Sequence, residues 1–546
     1  MNLKRILILT AAAALCAAGT ARAGLVNVTN DIIEGTSVTW YATNTYLLQT
    51  VVYVRSNAVL TIEPGTVIKG ATNVTTLIAR DGLQDLVSAL WVARGGKLYA
   101  TGTVDRPIIF TYEGDNVNDP YDDPPTITGQ WGGVVLMGRA TINSAQYATG
   151  EAATPKYDRY EGVLNNGTNG VHLFGGNDDT DSSGALRYVS IRHSGHEFAP
   201  AKELNGLTMG GVGSGTVIEY VEVYACSDDA FEWWGGTVSA RHLVASFCED
   251  DDFDTDQGYR GTNQFWFGIK PPWAGSSDSR GFETDGDLNQ TGYPGNNAAP
   301  TSTWAVYNAT LIGRGTNASG FGGGIGWNAR DEARPHVYDA VFSDFVSGIL
   351  IDVDGTNEFA TGVADVRNSI FNVVTNLAGA NTATVAFLFS DVNHTNSVQN
   401  ALLGGISYTN NLGLNPRPQA GSPALSNVLP QPAGLDQVNY RGAFSTNDFW
   451  AHKWTAIYKL GYLHDTWYSP TIILLSPMLS AVQNGVDLDI VFATQTGFSY
   501  QLQSTTNLNV PINWVDEGSP LAGTGGTLTS TVPTSASVEF FRVKAQ

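Results

Sequence analysis

Residues 219–258 read EYVEVYACSDDAFEWWGGTVSARHLVASFCEDDDFDTDQG and contain one short phrase twice. Ala225-Cys226-Ser227-Asp228-Asp229-Ala230-Phe231-Glu232 returns as Phe247-Cys248-Glu249-Asp250-Asp251-Asp252-Phe253-Asp254, with Cys226 and Cys248, like Phe231 and Phe253, 22 residues apart. A unit this short cannot bury a core of its own and must stack on its neighbours. Each copy is therefore expected to be one coil of a parallel β-helix, with equivalent residues on adjacent rungs about 4.8 Å apart.

Outward from this stretch the same pattern continues. RYVSIR at 187–192, IEYVEV at 218–223 and HLVAS at 242–246 alternate apolar and polar residues, as a strand with one buried face does. Residues 304–311, 337–342 and 366–371 repeat it, and 51–70, 90–100 and 107–111 are short apolar runs broken by Asn, Pro and Gly, expected to form the first coils. Polar or Pro-rich stretches at 115–128, 144–170 and 270–300 read as excursions. Insertions into a solenoid tend to gather on one face, often the one that binds. The region 415–476, with Phe449, Trp450, Trp454 and Trp467, reads as a capping segment that closes the open end of the solenoid. Pro477 marks a boundary, and the runs at 486–492, 499–503, 527–532 and 538–543 suggest a small β-sandwich. The expected architecture is all-β: a right-handed parallel β-helix over 24–475 and a β-sandwich over 476–546.

Composition narrows the function classes. The 546 residues carry 51 Asp and Glu against 29 Lys and Arg, a net charge of −22, which argues against nucleic acid and favours cations or neutral ligands. The 61 glycines, without a collagen period, fit a chain of many turns. Lys4-Arg5, the apolar run 6–18 and Ala21-Arg22-Ala23 form an export signal, so the mature chain is expected to begin at Gly24 in an extracellular, surface or periplasmic location. No later run is long enough for a membrane span. Cys226 and Cys248, one coil apart, are either a disulfide or two small core residues at equivalent positions.

The segments EGV at 161–163, HLFGGNDDTDSSGALRYVSIRHSGHE at 172–197, ELNGLTMGGVGSGTVIEYVEVYACSDDAFEWWGGT at 203–237 and GQWGGVVLMGRATIN at 129–143 resemble a largely uncharacterised family of exported bacterial parallel β-helix proteins. The resemblance implies a fold and a surface location, but no reaction. YQLQSTTNL and EFFRVKA near the C-terminus resemble fibronectin-III-like or immunoglobulin-like modules of secreted proteins.

Stacked coils would align Asp228 and Asp229 with Asp250 and Asp251, and Glu232 with Asp254; FETDGD at 282–287 reads as a further copy. Carboxylates about 5 Å apart at an effective dielectric of about 20 repel by roughly 3 kcal/mol per pair. A cation, protonation or water must relieve that, and calcium suits a cluster of hard oxygens. Asp250, Asp252, Asp254 and Asp256 alternate and are expected to share a strand face. The alternative is a solvated acidic edge that opposes aggregation. Asp179, Asp181, Ser183 and Gly184 carry the early spacing of a calcium loop without its terminal glutamate, and an Asx-rich turn is the competing reading; Asp285, Asp287 and Asn289 repeat the spacing less well. His193-Ser-Gly-His196-Glu197 lacks metalloprotease spacing, so hydrogen-bonding roles are expected for its histidines.

Two function classes remain. One is a binder of carbohydrate or envelope components, with Trp233, Trp234 and Trp273 as candidate sugar-stacking residues and calcium as a structural cofactor. The other is a polysaccharide lyase or glycoside hydrolase using Glu232, Asp254 and Glu283, with Arg260, Arg280 or Lys270 as the nearest bases in sequence. No recognisable catalytic motif is present, and the binding role is favoured.

Overall fold

The computed structural model describes residues 24–465, apart from 121, 200–201, 274–278, 287–297, 316–323 and 380, and residues 479–545, apart from 486, 495–498, 507–512, 525 and 534–539. The expected export signal, Asp287, Asn289, Trp467, Pro477 and the expected 475/476 boundary lie outside the described residues. The chain divides into two units, Met1–His464 and Asp465–Gln546.

Unit one is the expected parallel β-helix. Strand Phe231–Gly236 pairs in parallel with Phe253–Asp256, and Phe231 faces Phe253 as the repeat requires. Phe253–Asp256 then pairs with Arg280–Thr284, and that strand with Ile325–Ala329. These belong to a ten-stranded parallel sheet beside an eighteen-stranded one. Strand alternation decides the core. Phe231, Trp233 and Phe253 point inward, where Phe231 stacks on Phe253 at 5.5 Å and Trp266 stacks on Phe253 at 4.6 Å and on Trp233 at 5.0 Å. Cys226 and Cys248 sit in the same core as free, fully buried thiols, so the core reading holds and the disulfide is not formed.

The strands of the larger sheet carry a feature that alternation does not show. Tyr188, Tyr220, His242 and Phe265 all have φ between 50° and 60°. The left-handed region costs a non-glycine residue roughly 1–2 kcal/mol. Here the cost is offset by stacking: Tyr188 on Tyr220 at 4.5 Å, Tyr220 on His242 at 4.1 Å, His242 near Phe265 at 4.8 Å. Asn308, Asp339 and Asn368 continue the left-handed column with side-chain hydrogen bonds, Gln264 donating to Asn308 at 3.1 Å and Asn368 donating to Asp339. A second left-handed column runs through His193, Ala225 and Phe247.

The solenoid ends are closed by different residues from those expected. Ile32, Trp40 and Tyr46 enter the core at the first coils, and the short helices Thr356–Ala360, Thr382–Val385 and Phe387–Ser390 bring in Phe359, Val385 and Leu388 at the last ones. The segment read as an end plug lies instead along the side. Phe444, Phe449, Trp454 and Ile457 pack on Tyr224, Val244, Phe247, Phe267 and Ile312, which point outward from successive coils. The physical reason is that these outward residues are apolar and need a cover, which the 414–463 strap supplies.

Unit two has two three-stranded antiparallel sheets, one pairing Leu479–Asn484, Asp487–Ala493 and Thr527–Pro533, the other Val515–Ala522, Ser499–Thr505 and Phe540–Ala545. Ile490, Phe492 and Val532 from one meet Tyr500 and Leu502 from the other in a small core, as in a β-sandwich.

Candidate functional site: an acidic face on stacked coils

The ten-stranded sheet turns every second side chain outward, and parallel register places them in rows. One row runs Thr208, Glu232, Asp254, Glu283, Asn328. The turn before each strand adds more acids: Asp228 and Asp229 before one, Asp250 and Asp251 before the next. Carboxyl oxygens of three overlapping groups lie within 4.8 Å of one another: Asp228, Asp229 and Asp250; Asp229, Glu232 and Asp254; Asp254, Glu283 and Asp285. Stacking in register thus brings Asp228 and Asp229 near Asp250 and Glu232 beside Asp254, and Asp285 joins them. Glu232, Asp254 and Glu283 are each 8% exposed, so the groups are shielded from bulk water.

Burial without enough opposite charge shifts the carboxyls. Desolvation first, then mutual repulsion, drives Asp228, Asp229, Glu232, Asp251 and Asp254 well above the carboxylate range. Glu283 is pushed up to about 7 by burial and by Asp285, against the pull of Arg330 and Arg280. Among the described residues two guanidiniums pair with this face. Arg280 lies 2.8 Å from Glu283 and 3.4 Å from Asp251. Arg330 lies 3.0 Å from Glu283 and holds Asp285 through two bonds of 2.6 and 2.9 Å. Neutral donors complete the frame: Asn205 donates to Glu232 and also to Tyr160 and Thr208, each at 3.1 Å, and the Asp251 N–H donates to Asp229 at 2.9 Å. Oδ1 of Asp254 is buried and accepts no hydrogen bond.

Several expected site residues are placed elsewhere. Asp252 does not share the face of Asp254: it precedes the strand, so alternation fails there, and its carboxylate pairs with buried Lys270 at 3.2 Å. Asp256 does point outward with Asp254, and its carboxylate accepts the Gln257 N–H at 2.5 Å. The 179–184 loop is an Asx-type turn braced by the protein itself. Asp179 accepts from the Thr141 N–H at 2.8 Å and pairs with Arg260 at 2.9 Å; Asp181 accepts from the Arg139 N–H at 2.9 Å; Ser183 is buried against Thr216. Protein groups thus engage both aspartates, while Ser183 Oγ is buried without a hydrogen-bond partner. Trp233 is a core residue, and Trp234, though outward, is covered by Tyr160 at 5.0 Å and Phe174 at 6.0 Å, so neither is open to a sugar. Trp266, Trp304 and Trp327 are likewise buried. Trp273 is half-buried beside Tyr408 and Tyr462 on a cleft of about 220 Å³, away from the acidic face.

Arg330 and Asn205 are the partners that sequence reading missed. Arg330 stands 45 residues beyond Asp285 across an insertion, and no spacing signal links the two. Asn205 reaches Glu232 from the end of an excursion.

The model of the pectate-lyase-like beta helix domain family matches residues 31–407. No curated protein matches the chain.

Proposed function

Because the chain belongs to the pectate-lyase-like β-helix family over most of its length, we propose that its acidic face holds a divalent cation, calcium fitting best, and binds carbohydrate at the cell exterior. The observation that carries this reading is the row of overlapping carboxyl groups with two guanidiniums set against it. A hard cation with six to eight oxygen ligands neutralises such a cluster and keeps positions for sugar hydroxyls or a sugar acid. The orphaned Oδ1 of Asp254 supports the same reading, because a buried carboxylate oxygen without a partner is costly. The export signal is the basis for the exterior location, and the C-terminal sandwich, read as a fibronectin-III-like or immunoglobulin-like module, serves as a spacer.

A lyase or hydrolase is the second reading. Glu232, Asp254 and Glu283 stand on successive rungs with carboxyl oxygens of neighbouring rungs within 4.8 Å, and retaining glycosidases use a pair of carboxyls about 5–5.5 Å apart. Arg280 and Arg330 are each tied to two carboxylates, which leaves a lyase base occupied and favours binding over turnover. A glycan array run with calcium and with chelator, beside a polysaccharide-cleavage screen, separates the two. Calcium-dependent retention without new chain ends supports the binder; cleavage lost in E232Q or D254N supports the enzyme. Retention indifferent to chelator on every glycan would sink the cation-bridged reading.

A further inference from the structure

The first polar excursion returns to the solenoid at the second left-handed column. There Asp115 and Asp123 meet His193, with one ligand atom of each within 4.8 Å of the others. All three are buried: Asp115 is 3%, Asp123 6% and His193 1% exposed. The tautomer of the imidazole is set by its surroundings. Its Nδ1 lies 2.5 Å from the Ile127 carbonyl, which can only accept, so Nδ1 carries the proton and Nε2 keeps its lone pair. Tyr112 and Tyr224 pack edge-on against the ring at 5.4 Å each and fix its plane.

The carboxyls are incompletely satisfied. Tyr112 donates to Asp123 Oδ1, but Oδ2 of Asp123 and Oδ2 of Asp115 are enclosed and accept no hydrogen bond. The Arg192 guanidinium stands 3.9 Å from Asp115 Oδ2, beyond hydrogen-bond reach, and its Nε is engaged with Ser190 at 3.0 Å. One ligand atom of each of the three residues thus lies within 4.8 Å of the others, and among the described residues no hydrogen bond satisfies Oδ2 of either carboxyl.

We propose that Asp115, Asp123 and His193 form a second metal centre, separate from the acidic face, that takes a divalent transition ion such as zinc. One imidazole and two carboxylates are a borderline donor set, suited to zinc and unlike the all-oxygen face that suits calcium. Asp123 also lines the cleft of about 220 Å³ that holds Trp273, Tyr408 and Tyr462. Among the described residues His196 does not converge with this group, and its Nδ1 bonds the Gly129 carbonyl at 2.9 Å. Without an ion, the competing arrangement is a proton shared between Asp115 and Asp123.

The test is zinc binding by the full chain after dialysis against a chelator, read by competition with a chromophoric chelator and, with cobalt substituted, by visible absorption. One equivalent is expected for the wild type and for E232Q/D254N, with affinity lowered at least about tenfold in D123N and in H193Q. No binding by the wild type, or unchanged binding in both variants, overturns the proposal. Anomalous scattering from zinc-soaked crystals of the unmutated chain guards against misfolded variants: an ion between the three side chains supports the site, and an ion elsewhere or none refutes it.

Discussion

The carboxylate of Glu222 accepts the backbone N–H of Ala456 at 2.5 Å, across 234 residues of sequence. Glu222 is fully buried on an outward-facing position of its coil, and it also accepts from the Ile457 N–H at 3.2 Å and from Ser190 Oγ at 2.6 Å. It thereby caps the first turn of the helix Ala456–Lys459 and pins the strap to the solenoid. E222A strands two buried N–H groups and a hydroxyl, at about 1–3 kcal/mol each before relaxation. We expect a loss of about 3 kcal/mol in E222A and a smaller one in E222Q, measured as a shift of the urea midpoint. An E222A midpoint equal to that of the wild type would show that the strap is held by its apolar contacts alone.

The acidic face makes stability depend on pH in a definite direction. Glu283 titrates at about 7 in the folded chain because burial and Asp285 raise it, against about 4.3 when unfolded. A raised carboxyl stabilises the fold fully below the unfolded value and loses that contribution as pH rises through the folded value. Asp228, Asp229, Glu232 and Asp254 are shifted the same way. The Tm of chelator-treated protein should therefore fall between pH 5 and pH 8, and calcium should flatten the decline by binding the ionised form. A chelated Tm that stays level or rises over this window would contradict the assigned crowding.

Arg330 is the main counter-charge for Glu283 and Asp285, at 3.0 and 2.6 Å. Breaking a buried ion pair from one side costs about 3–5 kcal/mol. Arg330 is 36% exposed in its side chain, so solvent screening reduces the loss to about 2 kcal/mol for R330M. Calcium should restore more stability to R330M than to the wild type, since the variant leaves more charge uncompensated. Calorimetric melts with and without calcium check this. Equal calcium increments in the two proteins would place the cation away from Glu283.

The coil period was legible because Phe231 and Phe253, and Glu232 and Asp254, preserve residue type at constant spacing, and parallel pairing converts spacing directly into contact. The same logic fails where the chain leaves the strand. Asp252 precedes its strand and turns towards Lys270, although its sequence alternation with Asp254 is perfect. The left-handed column of Tyr188, Tyr220, His242 and Phe265 was hidden because each ring sits inside a run that also reads as plain strand. Trp234 points outward as alternation predicts, yet Tyr160 and Phe174 from an excursion cover it, and no local pattern announces such a cover. Arg330 reaches Asp285 only because an insertion of unpatterned length still returns the chain to the next rung.

Cys226 and Cys248 provide a test of the core independent of the acidic face. Both are free and fully buried. Burial drives the Cys226 thiol well above its ordinary value and Cys248 up to about 12, so neither forms a reactive thiolate at neutral pH. Native protein should resist maleimide labelling at both positions, and both cysteines should label fully in denaturant without reductant, read by mass on the peptides that carry Cys226 and Cys248. Failure of both to label in denaturant would mean that the protein carries the disulfide instead. C226A and C248A each remove a buried sulfur from the Phe231–Phe253 core and should each cost about 1 kcal/mol, since the volume lost is far smaller than in a Leu→Ala change. A cost above about 3 kcal/mol from either would indicate that the sulfur has a role beyond filling space.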